Sequence, residues 1–487
     1  MRRARSRSLL SLVGAALVLT VPATAQQKPA RAAEQRNMAL VGFDNLQGRS
    51  AYQPIVHKQG NRYIAYVGHH GGTHANPLTR QDEPSGTSIV DVTDPSRPAY
   101  LHHIPGEPGA GEQGGAQMVR ACNGSDLAKA PGSGADPHRT YLLRTYGNSA
   151  HQIWDVTDPA RPALVSTPSS GLTGTHKSFW ECTTGIAYLV SGVPGWRTAR
   201  MTEVFDLKTP AAPRKIRDFG LPGQQPGATV NPVPTQLHGP ISVPSKNRVY
   251  FGYGTNADGV VQIVDRAKLL TGPTAPTDTN LTFPQVSRLD LAPNNGAHTT
   301  FPILGIRMPS GDLGSFDVGA TRDFIAVVNE SLRDTTCVGE AHQMVYFLDI
   351  TTETKPQMVS NFHVPAAAGD FCNRGGRFGS HSSNENMTPL YYGKLLFVAY
   401  FNAGVRAVDI RSPFSPQEIG YYIPATTSDT ATRPVGCRLG SPGCSIAIQT
   451  NNVDVDDRGY IVIVDRANTG MHVLQLTGEA RAVAGLP

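Results

Sequence analysis

The chain has 487 residues, with 43 Lys or Arg against 38 Asp or Glu. Four of the basic residues, Arg2, Arg3, Arg5 and Arg7, precede an apolar run from Leu9 to Val21, which leaves 39 basic against 38 acidic beyond it. That near-neutral balance removes the electrostatic basis for binding nucleic acid or an anionic membrane. Fifty Gly, 38 Pro and 17% charged residues, without a long helical apolar period, point to an all-β chain rich in turns.

The first element in chain order is a secretory signal at 1–25. A basic start leads into the short apolar run, and Ala23-Thr24-Ala25 supplies a small-residue cleavage site after Ala25. The run is too short to span a membrane. The expected destination is the periplasm or the exterior. A flexible segment at 26–36 follows, and 37–487 reads as one domain.

That domain is organised by a repeat: an apolar strand ending in Asp, a turn closed by Pro, then another strand. It reads TSIVDVTDPSRPAYL at 87–101 and HQIWDVTDPARPALV at 151–165. Further copies begin at 202, 260, 344, 404 and 470, and the last has lost its Asp. Asp and Thr bond turn amides, and Pro suits a sheet edge because it lacks a donor. Upstream of each copy lies a second apolar strand, such as RYIAYVG, IAYLVSG or YIVIVDR, and before that a less apolar one. Seven such units predict a seven-bladed β-propeller of four-stranded antiparallel blades, with the less apolar strand innermost. The last blade runs out of chain, so MALVGFDNL (38–46) is expected to supply its outer strand and close the ring.

The phrases YIVIVD (460–465), VQIVD (261–265) and TSIVDV (87–92), with RGGRFGSHSSNEN (374–386), resemble the LVIVD-repeat family of secreted bacterial propellers. The resemblance covers nearly the whole domain and implies the architecture. The family is functionally diverse, so it implies no particular activity.

Aligning the innermost strands places GTHKSF, QLHGPI, GAHTTF and GSHSSN over one another. His176, His238, His298 and His381 then share one register in four consecutive blades, while Tyr52, Gln117 and Thr450 or Asn451 hold it in the other three. Innermost strands surround the axis, so four imidazoles should converge. Neutral imidazole is a general ligand, and four of them make an Fe or Cu site without thiolate. Carotenoid oxygenases are similar in logic, holding iron with four axial histidines in a seven-bladed propeller, although no sequence motif is shared. Methanethiol oxidases also carry propeller histidines, but their cysteine-containing motifs are missing here. The competing expectation is a polar, metal-free channel.

The loops that lead into these strands bring other candidates to the same face. His69, His70 and His74 follow the second strand of blade 1, as a second metal site, a proton shuttle or a solvated loop. Arg144 and Tyr146 follow it in blade 2, Glu330 in blade 5 and Asn402 in blade 6. Glu385, four residues after His381, stays on the axial side by strand alternation. Either Glu330 or Glu385 can orient an imidazole. The six cysteines are expected to pair as 122–182, 337–372 and 437–444.

These features predict a metal-dependent extracytoplasmic oxidoreductase or oxygenase acting on a small molecule, with metal-assisted hydrolysis or lyase chemistry a weaker reading. The alternative is a binding propeller recognising a protein, glycan or small ligand. A monomer is expected. No serine-hydrolase, zincin, phosphate-loop or dinucleotide fingerprint occurs.

Overall fold

Of the six copies that keep the Asp, five close a turn by accepting a backbone N–H two residues on, while Asp265 accepts from Lys268, three residues on. Asp91 accepts from Thr93 (2.8 Å), Asp155 from Thr157 (3.0 Å), Asp349 from Thr351 (2.9 Å) and Asp409 from Arg411 (3.0 Å). The third and outer strands pair with a β-bulge in all seven blades, and in the first six the chain runs directly from one to the other. Each bulge adds right-handed twist. In the computed structural model, which describes residues 31–309, 320–335, 337–441 and 443–486, these hairpins build a seven-bladed β-propeller of four-stranded antiparallel sheets.

The innermost strands, in blade order, are Ala51–Gln59, Val119–Asn123, Phe179–Trp180, Leu237–Val243, Thr299–Arg307, Ser382–Ser383 and Thr450–Val455. The ring closes as expected: Met38–Asp44 pairs with Gly470–Leu476 as the outer strand of blade 7. The segment expected to be flexible enters the fold earlier. Glu34–Arg36 pairs with Tyr421–Ile423 and adds a fifth strand to blade 6, fixed by Arg36–Glu418 and Arg374–Glu34 ion pairs. An exposed sheet edge is a template for such pairing. The signal expected at 1–25 lies outside the described residues.

The core is divided among the blade interfaces, one apolar cluster to each. Ile64, Tyr66 and Ile89 pack on Leu142 and Val119 between blades 1 and 2. Leu395, Phe397 and Val405 meet Ile461, Ile463 and Leu474 between blades 6 and 7. Ala65, Val67 and Val90 meet Val462, Val464 and Val473 across the closure. Central strands are therefore apolar on both faces, which explains their unbroken Ile/Val/Leu runs. All three expected disulfides form: Cys122–Cys182, Cys337–Cys372 and Cys437–Cys444. No described helix is long and apolar enough to cross a membrane.

Two imidazoles lie inside the blades, away from the axis. Burial pushes His151 down to about 4 and His472 down to about 3, below the ~6.5 of an unfolded chain. Because the folded state resists these protons, their contribution is complete above ~6.5 and falls as pH drops toward the folded values. At pH 5 each costs about 2 kcal/mol. Urea melts at pH 7 and pH 5 should show His472→Phe losing about 2 kcal/mol less than the parent over that interval.

Candidate metal centre

The register position holding each candidate ligand is where an innermost strand leaves its ladder. His238 falls at a register break between Leu237 and Gly239, Tyr52 at one between Ala51 and Pro54, and Asn451 at one between Thr450 and Asn452. A bulge re-aims the side chain it carries. His176, His298 and His381 instead sit just ahead of their strands. Their backbone N–H groups donate to the carbonyls of Val190, Val328 and Ala399 in the neighbouring strands. All four histidines are at most 4% exposed.

Their rings form one chain around the axis. Centroids are 4.3 Å apart for His176–His238, 3.7 Å for His238–His298 and 4.4 Å for His298–His381. His176 Nε2 lies 2.8 Å from His238 Nε2 and 3.2 Å from the Tyr52 hydroxyl. Two nitrogens each ~2.1 Å from an ion and at right angles to one another stand ~3 Å apart, so the first spacing suits a shared ligand site.

Backbone carbonyls decide which ring nitrogen carries the proton. His238 Nδ1 donates to the carbonyl of His298 (3.1 Å), and His381 Nδ1 donates to that of Asn451. A carbonyl only accepts, so Nδ1–H is imposed and Nε2 keeps its lone pair. The Nε2 atoms of His298 and His381 are buried with no hydrogen-bond partner. Burial, reinforced by neighbouring imidazoles and by Arg200, Lys177 and Arg466, holds all four histidines well below the usual imidazole range. All four imidazoles are therefore neutral, and in His238 and His381 the unprotonated nitrogen is Nε2.

Glu330 completes the cluster from the blade 5 loop. Its carboxylate oxygens stand 4.0 Å from His238 Nε2, 3.9 Å from His298 Nε2 and 3.6 Å from His381 Nε2. The donor atoms of His238, His298 and Glu330 all fall within 4.8 Å of one another, the one such group among the described residues. Burial pushes the Glu330 carboxyl above its usual range, opposed by Arg377 at 3.1 Å and Arg466 at 4.0 Å. Facing the Nε2 atoms, Glu330 is placed to join them around an ion rather than to orient a ring from behind.

No protein-family model matches the chain, and no curated protein matches it. Among solved structures, Raptor of Chaetomium thermophilum aligns with a TM-score of 0.50 and 11% identity. That alignment covers 90% of this chain and 29% of Raptor, so the chain spans under a third of Raptor's length. Sqt1 of the same organism aligns at 0.46 and 10% identity, over 90% of this chain and 99% of Sqt1. In its complex with the N-terminus of ribosomal protein L10 the values are 0.44 and 12%, with the same coverage. At such identities the likeness speaks to the fold alone.

Several expected site residues are elsewhere. Of the blade 1 trio, only His70 reaches the axis: its ring is 5.3 Å from Tyr52 and its Nε2 3.4 Å from Glu112. His69, the preceding residue on the strand, must face the other way, and it meets the Ser88 hydroxyl at 2.8 Å. His74 lies on an outer hairpin against Ser85 (3.2 Å). Glu385 is axial but sits away from the imidazoles, ion-paired to Lys177 and Arg120. Those partners outweigh the effect of burial and hold its carboxyl below the usual range. Lys177 in turn donates to Thr299 (2.7 Å), whose hydroxyl meets His298 Nδ1 at 2.9 Å.

Asn402 is buried and ties the carbonyls of Phe371 and Gly375. Arg144 is a structural clamp: it is buried, donates to the carbonyls of Ile104 (3.0 Å) and Pro105 (2.8 Å), bonds Gln152, and stacks on Trp154. Tyr146 is its neighbour, with the guanidinium 6.0 Å from the ring. Their strand is correct, but their side chains enter the joint between blades 1 and 2. Three residues that the strand alignment did not single out, Glu112, Arg377 and Arg466, take the places nearest the cluster. Removing a buried, fully bonded guanidinium leaves carbonyls unpaired, so Arg144→Met should cost about 3 kcal/mol in urea melts.

Proposed function

We propose that this propeller is a metal-dependent extracytoplasmic enzyme, an oxidoreductase or oxygenase acting on a small molecule, with Fe or Cu held by His176, His238, His298 and His381. The single observation that carries the reading is the pair of carbonyl-locked rings, His238 and His381, whose Nε2 lone pairs face Glu330 beside a third orphaned nitrogen on His298. Burying such lone pairs without a partner costs free energy, and an ion removes that cost. All six cysteines are spent in disulfides, so the donor set is nitrogen and oxygen only, which suits Fe or Cu. When bound, such an ion supplies one-electron chemistry toward substrate or dioxygen.

The chain's own residues do the rest. Glu330 provides a carboxylate that accepts a proton or joins the ligand set. Arg377 holds it, and stacks in turn on Phe401 with the guanidinium 5.2 Å from the ring. Phe401 itself adopts a left-handed backbone (φ 42°) against the His381 ring. Strain of that kind persists where the surroundings over-determine it. The Tyr52 hydroxyl, 3.2 Å from His176, is placed to hold a proton at the cluster. Three disulfides and the signal-like start support export, and the repeat supports membership of the LVIVD family.

Elemental analysis of natively purified protein tests the reading. About one Fe or Cu per chain is expected, falling by more than tenfold in His238→Ala and in His298→Ala. Protein that takes up neither metal on reconstitution overturns it and favours the binding propeller, whose partner affinity would survive those substitutions.

A further inference from the structure

The near-face mouth of the imidazole cluster is lined by guanidiniums from different blades. Arg377 and Arg466 keep 17% and 12% of their side-chain surface exposed and Arg433 keeps 9%. Half-buried Arg200 adds positive potential at His176 and His238. Buried guanidiniums need carboxylate partners, and here those partners are shared. Asp334 serves both Arg377 (3.5 Å) and Arg433 (3.6 Å). Glu330 serves Arg377 and the imidazoles. Arg466 relies mainly on Glu112, at 2.9 Å.

Glu112 differs from the other two carboxylates. Its side chain is 45% exposed, and it rides on the glycine-rich stretch GAGEQGG (109–115) rather than on a blade strand. That stretch crosses the mouth as an added edge, Gly111–Ala116, pairing His69 with Ala116 and His70 with Gly115. It is anchored at Gly115, which has φ +82° and where a Cβ would lie 2.3 Å from the His69 carbonyl. The other end is held as well: Gly111 (φ +55°) pairs with Gly71 beyond a register shift, and the Glu112 carbonyl accepts from the Asn148 side-chain amide at 3.0 Å. Glu112 therefore hangs a half-exposed carboxylate over the site from a strap paired on both sides of it, so the side chain rather than the backbone is the part able to turn away. The carboxylate contacts Arg466 and, at 3.4 Å, His70 Nε2.

We propose that Arg466, with Arg377 beside it, is the recognition site for the carboxylate of a small organic acid, and that Glu112 occupies this site as an internal stand-in when no ligand is bound. The ligand's carboxylate takes the position of the Glu112 carboxylate on Arg466, its body points toward Glu330 and the imidazoles, and the Glu112 side chain turns outward. A planar guanidinium fork matches a carboxylate, which a lysine would not do with the same orientation. The chemistry done on such a ligand rests on the metal-centre reading; its binding does not.

The test uses the full mature protein with acetate as probe and acetamide as its uncharged counterpart, followed by calorimetry or ligand-observed NMR. Freed from an internal competitor, Glu112→Gln should bind acetate about tenfold more tightly than the parent. That gain should vanish in Glu112→Gln combined with Arg466→Gln, and acetamide should bind to none of them. Should the double variant fail to fold, Glu112→Gln with Arg466→Lys replaces it: the charge is kept and the planar fork lost, so the acetate gain should fall if Arg466 is the site and stay if charge removal alone produced it. Acetate binding no tighter in Glu112→Gln, or matched by acetamide, overturns the proposal. A gain that persists without Arg466 does so too, because it would reflect charge removal alone. Fe and Cu uptake measured on the same samples separates the two readings. Acetate binding without metal leaves this site standing and the metal centre refuted, and metal without acetate binding does the reverse.

Discussion

Ring closure is the constraint on which the remainder of the molecule depends. Each blade is a twisted sheet with two apolar faces, and neither face can be left in water. Seven apolar clusters satisfy seven interfaces only because Met38–Asp44 returns to pair with Gly470–Leu476. Without that strand, blade 7 would lack its outer edge and the blade 7–blade 1 cluster, built on Val67 and Val464, would open. Closure also forces every innermost strand to face the axis. The side chains collected there are largely polar, and once buried they must satisfy one another.

That crowding explains the chemistry at the axis. Four imidazoles within ring-contact distance cannot all be charged, and burial keeps them neutral. Neutral rings still need a proton on one nitrogen, and the carbonyls of His298 and Asn451 determine which one. The two layers flanking the imidazoles carry opposite solutions to buried charge. In one, Lys177, Glu385 and Arg120 pair with each other inside the channel. On the near side, Arg377, Arg466 and Arg433 share carboxylates with Glu330, Glu112 and Asp334, and the surface stays partly open. The first arrangement reads as a plug and the second as an entrance.

Much of this was legible in the chain. The Asp turn recurs because its side chain bonds a nearby amide, an interaction confined to a few residues and so written locally. The unbroken apolar runs report two-sided burial, which ordered all seven blades. The histidine register followed from laying strands of known role over one another. What failed was side-chain direction within the loops. His69 and His70 are indistinguishable by composition, yet only His70 faces the axis. Arg144 looked like a site residue because it ends a strand on the right face, but its guanidinium turns sideways to clamp the Ile104 and Pro105 carbonyls.

The sequence by itself determined the number of blades, the strand that closes them, the cysteine pairs and the four histidines that share a level. All of these follow from local turn chemistry, alternation and repeat spacing. Only the tertiary structure decided that Glu330 faces the Nε2 atoms, that Glu385 is taken by Lys177, and that Glu112, Arg377 and Arg466 meet over the mouth. Those three come from loops 89 to 354 residues apart, and no local period encodes where they land. Their positions depend on the closed ring bringing distant loops to one point, where the cost of burying each charge selects its partner.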